Sequence, residues 1–240
     1  PKPSYDLWEE RYGTHTYTAS SVYGALIVAG KFAELLGKHE EAYLYRETAE
    51  EIQRAIMRYC YDAGEGVFYR SVFLGSSMVE VDRTIDASAV YGVFRFGVLS
   101  ADDDRLARAM VSMRKTLLTK TDIGGIKRYV GDQYSILHPQ AQENPWYITT
   151  GWFAQYDIAR AKNDTDLDSV RAVLEWCTRY AGDAQIMSEQ INPYSGEPIS
   201  VMPLTWSHAE YVKVVLLYLE KLDELGICKN CNPVKETILE

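Results

Sequence analysis

Residues 14–36 read THTYTASSVYGALIVAGKFAELL. Val22, Leu26, Ala29, Ala33 and Leu36 recur there at the three- and four-residue spacing that lines one face of an α-helix, and Gly37 follows as a stop. A helix is expected. The next stretch, 40–61, opens with acids that answer the positive end of a helix dipole and puts Ala42, Tyr45, Ala49, Ile52, Ile56 and Tyr59 on one face. It reads as an antiparallel partner. Residues 64–82 change period: Val67, Phe68, Tyr69, Val72 and Phe73 between glycines predict a short β-hairpin.

A second helical pair follows, with Asp86 expected to cap 87–99 and Ser100 expected to cap 101–118. The third pair is 146–161 with 166–181, and a last helix covers 205–225. Proline disrupts a helix interior, and five of the eight prolines fall in the windows 139–145 and 193–203. Those windows lie in two long irregular segments, 119–145 and 182–203. Helix, helix, elaborate loop, repeated, predicts an all-α array of helical pairs whose long connections carry function. Asn163, Asp164 and Thr165 match a glycosylation acceptor, but between two helices a polar turn is the preferred reading.

The 240 residues hold 25 Lys+Arg against 34 Asp+Glu, a net charge of −9, with 47% hydrophobic content. That suffices for one domain with a substantial core. It argues against nucleic acid or an anionic membrane as partner, since either needs a basic face. A neutral or cationic ligand is expected. No apolar run approaches the roughly 18 to 20 residues of a bilayer span. The start at Pro1 has neither methionine nor leader, so a processed product or part of a longer polypeptide is expected; no leader gives the localisation, the cytoplasm being favoured with secretion left open. Cys60 and Cys177 read as plain core thiols; Cys228 and Cys231 form a C-x-x-C open to three readings, a small disulfide, a redox pair or half a zinc site. Scattered histidines supply no further ligands, so neither metal nor cofactor is expected.

Three segments combine carboxylates with aromatics. The first is Tyr5-Asp6-Leu7-Trp8-Glu9-Glu10, whose plain reading is capping of the helix that follows. Trp8 adds an apolar wall that can raise a neighbouring carboxyl pKa and a flat surface for a sugar ring. The second runs from Gly124 through Arg128, Tyr129, Asp132 and Tyr134 to Glu143-Asn144-Pro145-Trp146. Arg128 and Asp132 there form either an internal ion pair or a set of hydrogen bonds for hydroxyls. The third is Ser188-Glu189-Gln190, followed by Leu204-Thr205-Trp206-Ser207-His208-Ala209-Glu210.

In this order, D-L-W-E-E, then R-Y with D-x-Y and N-P-W, then E-Q with L-T-W-S-x-A resembles the glycoside hydrolase family that contains the glucoamylases, family 15. The His-Ala-Glu ending is nearer its prokaryotic, archaeal branch. The resemblance implies an (α/α)6 toroid with a pocket at one end, Glu9 as general acid, Glu189 as general base, and Leu7, Trp8, Glu10, Arg128 and Trp206 lining the glucose site. Inversion asks for a protonated carboxyl on the leaving oxygen and an ionised one holding water on the opposite ring face, about 6.5 to 9.5 Å apart. Trp8 and Glu10 are expected to keep Glu9 protonated by desolvation and like charge.

The implied substrate is an α-glucan or oligosaccharide cleaved from its end to release glucose. Glucodextranase or trehalase activity, or a catalytically silent glucan-binding module, are the alternatives; D-L-W-E-E favours the glucoamylase type. About seven helices are legible where a closed toroid uses about twelve. Residues 1–240 are therefore expected to be the C-terminal part of the catalytic domain, an incomplete barrel with 226–240 as a tail. Exposed inner faces would favour association with the missing N-terminal part or with a second copy.

Overall fold

In the computed structural model, which describes residues 1–74, 79–229 and 231, the elements follow in this order. First come β1 (Ser4–Tyr5), β2 (Tyr12–His15), α1 (Thr16–Leu35), α2 (His39–Tyr59), β3 (Tyr61–Asp62), β4 (Val67–Leu74), β5 (Val79–Ile85), α3 (Ala87–Arg95) and α4 (Asp104–Leu117). Then come α5 (Tyr147–Arg160), α6 (Asp168–Arg179) behind a 3-10 turn at Asp164–Leu167, β6 (Gln190–Ile191), β7 (Pro198–Ile199) and α7 (Thr205–Glu224). The chain divides into two compact units, Pro1–Leu117 and Leu118–Glu240.

In the first unit α1 stops where its glycine predicts. Gly37 has φ +72°, and the N–H groups of Gly37 and Lys38 donate to the carbonyls of Glu34 and Ala33, closing the last turn. Helix α2 returns antiparallel: Gly30 near the end of α1 faces Ala42 and Arg46, while Ala19 near its start shares a cavity wall with Ile52, Ile56 and Tyr59. The expected face of α2 is the packed one, with Ala42, Ala49 and Ile56 buried.

The expected face of α1 is packed only in part: Ala33 is buried and Val22, Leu26 and Ala29 are half-buried, but Leu36 is exposed beyond the helix end. The buried side is turned toward Thr16, Ala19, Ser20 and Gly30, because close packing favours small side chains there. A β-carbon on Gly92 of α3 would stand 3.0 Å from the Cα of Tyr17 in α1, tighter than ordinary van der Waals contact, so glycine is what lets the two helices approach this closely.

The predicted hairpin exists as β4 and β5, with a bulge between Tyr69 and Ser71. It grows into a five-stranded antiparallel sheet in the order β1-β2-β4-β3, with β5 also on β4. Helices dominate, seven α-helices among the described residues, but the strictly all-α expectation is corrected by this sheet. The reason lies in β4, whose Val67, Phe68, Tyr69 and Val72 are buried and which recruits residues 14 and 15 ahead of α1 through the pairs Thr14↔Val72 and His15↔Ser71. Asp86 caps α3 as expected, accepting from Ser88 N–H. Ser100 does not cap α4; Asp103 takes that place, its carboxylate accepting from Arg105 N–H at 2.9 Å.

In the second unit α5 is buried all round, from Tyr147 through Tyr156. That marks it as the central helix of the unit. It shares a core of Ala154, Ile158, Leu167, Val170, Val214 and Leu222 with α6, α7 and the turn before α6. Asn163 does form a polar turn, its side chain accepting from Thr165 and Asp166. Cys228 and Cys231 are joined as a disulfide, the first of the three readings. Cys60 and Cys177 are buried free thiols, and burial pushes Cys177 up to about 12, which leaves it unreactive. The expected tail at 226–240 lies mostly outside the described residues. No helix among them is long and apolar enough to cross a membrane.

Candidate active site

Leu7, Trp8, Glu9 and Glu10 lie in the first unit, and Arg128, Glu189 and Trp206 in the second. The first four do not cap a helix. They form a loop at 6–11 that joins β1 to β2, and α1 begins only at Thr16 with His15 as its N-cap. Asp6 N–H donates to Arg11 O at 2.8 Å, and the buried Asp6 carboxylate accepts from Glu10 N–H at 2.8 Å and Arg11 N–H at 3.2 Å. His15 Nε2 donates to Arg11 O at 3.0 Å and closes the loop from the sheet side.

This tight closure puts Glu9 in the left-handed region at φ +59°, with its side chain exposed. For a residue with a β-carbon that conformation costs about 1–2 kcal/mol, and such strain concentrates at functional sites. Glu10 bonds Arg11 at 2.9 Å, so its charge is shared rather than bare. Trp8 does not merely flank Glu9: its indole N–H donates to Asp86 at 3.0 and 3.3 Å.

Asp86 is the hub of this half. It is fully buried, accepts from Ser88 N–H and Oγ at 2.8 and 2.7 Å, and lies 3.2 Å from Arg70 Nε, itself 3% exposed. Burial pushes the Asp86 carboxyl up, a push reduced by Arg70, Ser88 and Trp8. Sequence reading found the helix cap but missed the second duty, because Trp8 and Asp86 are 78 positions apart. The one available signal was an aspartate at a helix start in a stretch otherwise apolar.

Glu189 precedes β6, where Gln190 pairs with Ile199 and Ile191 with Pro198 of β7. Its N–H donates to Val201 O at 2.9 Å, which sets the carboxylate beside Ser200, whose hydroxyl donates to Glu189 Oε2 at 2.5 Å. Ser200 is also left-handed, at φ +68°. Each candidate carboxylate is thus aimed by a strained residue, Glu9 by its own backbone and Glu189 by its donor. Trp206, in the first turn of α7, packs against Trp152 with the rings tilted at 56° and 6.1 Å apart, and donates to Glu210 at 3.4 Å.

Arg128 is 3% exposed and makes a two-pronged pair with Asp132, both bonds 2.7 Å. The rings of Tyr129, Tyr134 and Trp146 lie 5.1, 5.1 and 4.6 Å from the guanidinium. The internal ion pair, the first of its two readings, is thus formed. Trp146 N–H then donates to Ile126 O at 2.9 Å, and Ile191 N–H to Pro145 O at 3.0 Å, which ties the 126–146 loop to β6. Asn144 Nδ2 adds a bond to Gln190 Oε1 at 2.7 Å.

A second buried pair, Lys127 with Glu143 at 2.9 Å, stiffens the same loop. Burial alone would raise the Glu143 carboxyl, but donation from Gly131 N–H and Lys127 outweighs it and holds the group below the usual carboxylate range. A depressed carboxyl contributes stability that is fully present above its unfolded pKa, about 4.3, and is lost as pH falls through the lower folded value. Urea-unfolding midpoints measured from pH 6 down to pH 3 should fall more steeply for the unaltered protein than for Glu143→Gln, the difference arising below about pH 4.3.

The family described as glycosyl hydrolases family 15 matches residues 1–216. An uncharacterized glycosyl hydrolase of Methanocaldococcus jannaschii is 29% identical over 94% of this chain and 35% of its own length. A glucoamylase of a Clostridium species is 28% identical over 88% of the chain and 33% of that protein. A trehalase of Mycolicibacterium smegmatis is 25% identical over 94% of the chain and 32% of the enzyme. Among solved structures, a bacterial glucoamylase complexed with acarbose superposes with a TM-score of 0.74 at 25% identity, over 89% of this chain and 35% of that one. The chain spans about a third of the length of these relatives.

Proposed function

Because the chain belongs to glycosyl hydrolases family 15, we propose that the protein containing it removes glucose from the ends of α-glucans or oligosaccharides by inverting hydrolysis. Glu9 is the general acid and Glu189 the general base, the seven helices being part of an (α/α)6 toroid. The observation that carries this reading is the strained presentation of both carboxylates, each on a short hairpin and each depending on a left-handed residue. Glu9 protonates the leaving glycosidic oxygen. Glu189 takes a proton from water as that water attacks the anomeric carbon from the opposite face. Leu7, Trp8, Glu10, Arg128 and Trp206 contact the glucose, with Asp132 orienting the Arg128 guanidinium. The two acids suffice, so the reaction needs no cofactor, and acidic side chains favour the oxocarbenium-like transition state.

The test is the first-formed anomer of glucose released by the natural polypeptide from maltose, isomaltose and trehalose. β-Glucose from maltose is expected. The trehalase relative supports a second reading, to which fast hydrolysis of trehalose alone would point. No glucose from any of the three would leave a silent glucan-binding module.

Ser200→Gly separates strain from function. Glycine adopts φ +68° freely and should regain about 1 kcal/mol of backbone strain, so the thermal midpoint should not fall. Loss of the hydroxyl from Glu189 should still lower kcat by roughly 3- to 10-fold, about 1 kcal/mol in the barrier. Thermal unfolding and initial rates on one preparation check both.

A further inference from the structure

We propose that His208 is a positioning residue, whose unprotonated ring nitrogen holds the backbone that carries Glu189. The inference rests on Glu189 being the base. Three bonds tie residues 187 and 188 to the start of α7. Leu204 N–H donates to Met187 O at 3.0 Å, Ser207 Oγ donates to Ser188 O at 2.8 Å, and Met187 N–H donates to His208 Nε2 at 3.0 Å. The next residue is Glu189. On its other side Ser188 Oγ donates to Gln190 O at 2.6 Å, and Glu189 N–H is itself committed to Val201. The base thus sits between two clamps.

The third bond specifies the state of the ring. A backbone amide only donates, so Nε2 must present its lone pair and the proton of the neutral imidazole must be on Nδ1. Met187 is buried, so an amide that lost this acceptor would have no ready substitute. Glu210, two positions further along α7, accepts from Gln155 and Trp206. The peptide between Ile186 and Met187 would instead rotate, and the displaced chain would carry the Glu189 carboxylate with it. Turnover is steeper in such displacements than binding is, and Glu189 holds the water rather than the sugar.

The test uses the natural polypeptide. His208→Ala should lower kcat on maltose about 10-fold or more while KM stays within about twofold. His208→Gln, whose Oε1 can occupy the place of Nε2, should restore kcat to within about threefold of the unaltered protein. Equal kcat in the alanine variant, or a glutamine variant no better than alanine, would overturn the proposal. So would a 15N spectrum of the unaltered protein showing His208 protonated at Nε2, a measurement that stands even where the alanine variant does not fold. Should the unaltered protein release no glucose, the Glu189 reading fails, and with it the proposal as stated. Hydrogen exchange at the Met187 amide then still decides the contact itself. Protection lost on His208→Ala and regained on His208→Gln supports the catch, and unchanged protection refutes it.

Discussion

Glu9→Gln is expected to lower kcat on maltose by about 10³-fold with little change in KM, because general acid catalysis typically contributes 10²- to 10⁴-fold and the amide keeps the shape of the side chain. The loop should survive the change, since it is held by the Asp6 carboxylate and by backbone bonds from 6 to 11, with the Glu9 side chain exposed. Glu189→Gln should cost a similar factor. The two variants part company on a substrate whose leaving group needs no proton, such as a glucosyl fluoride. There Glu9→Gln should recover much of its rate, because no acid is required, and Glu189→Gln should not, because water must still be activated. Initial rates on maltose and the fluoride give a two-by-two comparison. Equal losses on both substrates for Glu9→Gln would remove it as the acid.

Asp86→Ala should be the most damaging change to stability in the first unit. It removes the nearer of the two carboxylates beside Arg70, Asp82 being at 3.7 Å, and it removes the acceptor of both the α3 cap and the Trp8 indole. Breaking a buried ion pair from one side costs about 3–5 kcal/mol, and a lost helix cap about 1 kcal/mol. Against the roughly 5–15 kcal/mol of a typical domain, that is a large fraction. Asp86→Asn keeps an oxygen for Ser88 and Trp8 while losing the charge opposite Arg70, so its loss should be smaller. Urea unfolding followed by tryptophan fluorescence checks the order, since Trp8 reports on the bond being broken. Asn and Ala variants equally stable, and both close to the unaltered protein, would show that Asp86 is not the hub.

Several elements were legible from residue order because their causes are local. The face of α2, the stop of α1 at Gly37, the cap of α3 by Asp86 and the β4–β5 hairpin each follow from spacing or from one residue type. The packed face of α1 was legible only in part, through Ala33, because the close approaches of Tyr17 to Gly92 of α3 and of Gly30 to Ala42 of α2 turn its buried side toward Ala19 and Gly30. Asp6 to Glu10 looked like a helix cap because acids near a helix start usually are one. Only the pairing of β1 with β2 shows that those acids serve a hairpin loop instead.

Sequence alone determined the helical pairs, the segments carrying acids and aromatics, and the family to which their order points. Tertiary structure decided the rest: that Trp8 hangs on Asp86, that Arg128 pairs with Asp132 inside an aromatic box, that Ser200 aims at Glu189 and that His208 grips Met187. The physical reason is one of range. Periodicity and capping act over a few residues and leave a trace in their order, whereas a hydrogen bond between distant residues depends on where the folded backbone brings donor and acceptor together.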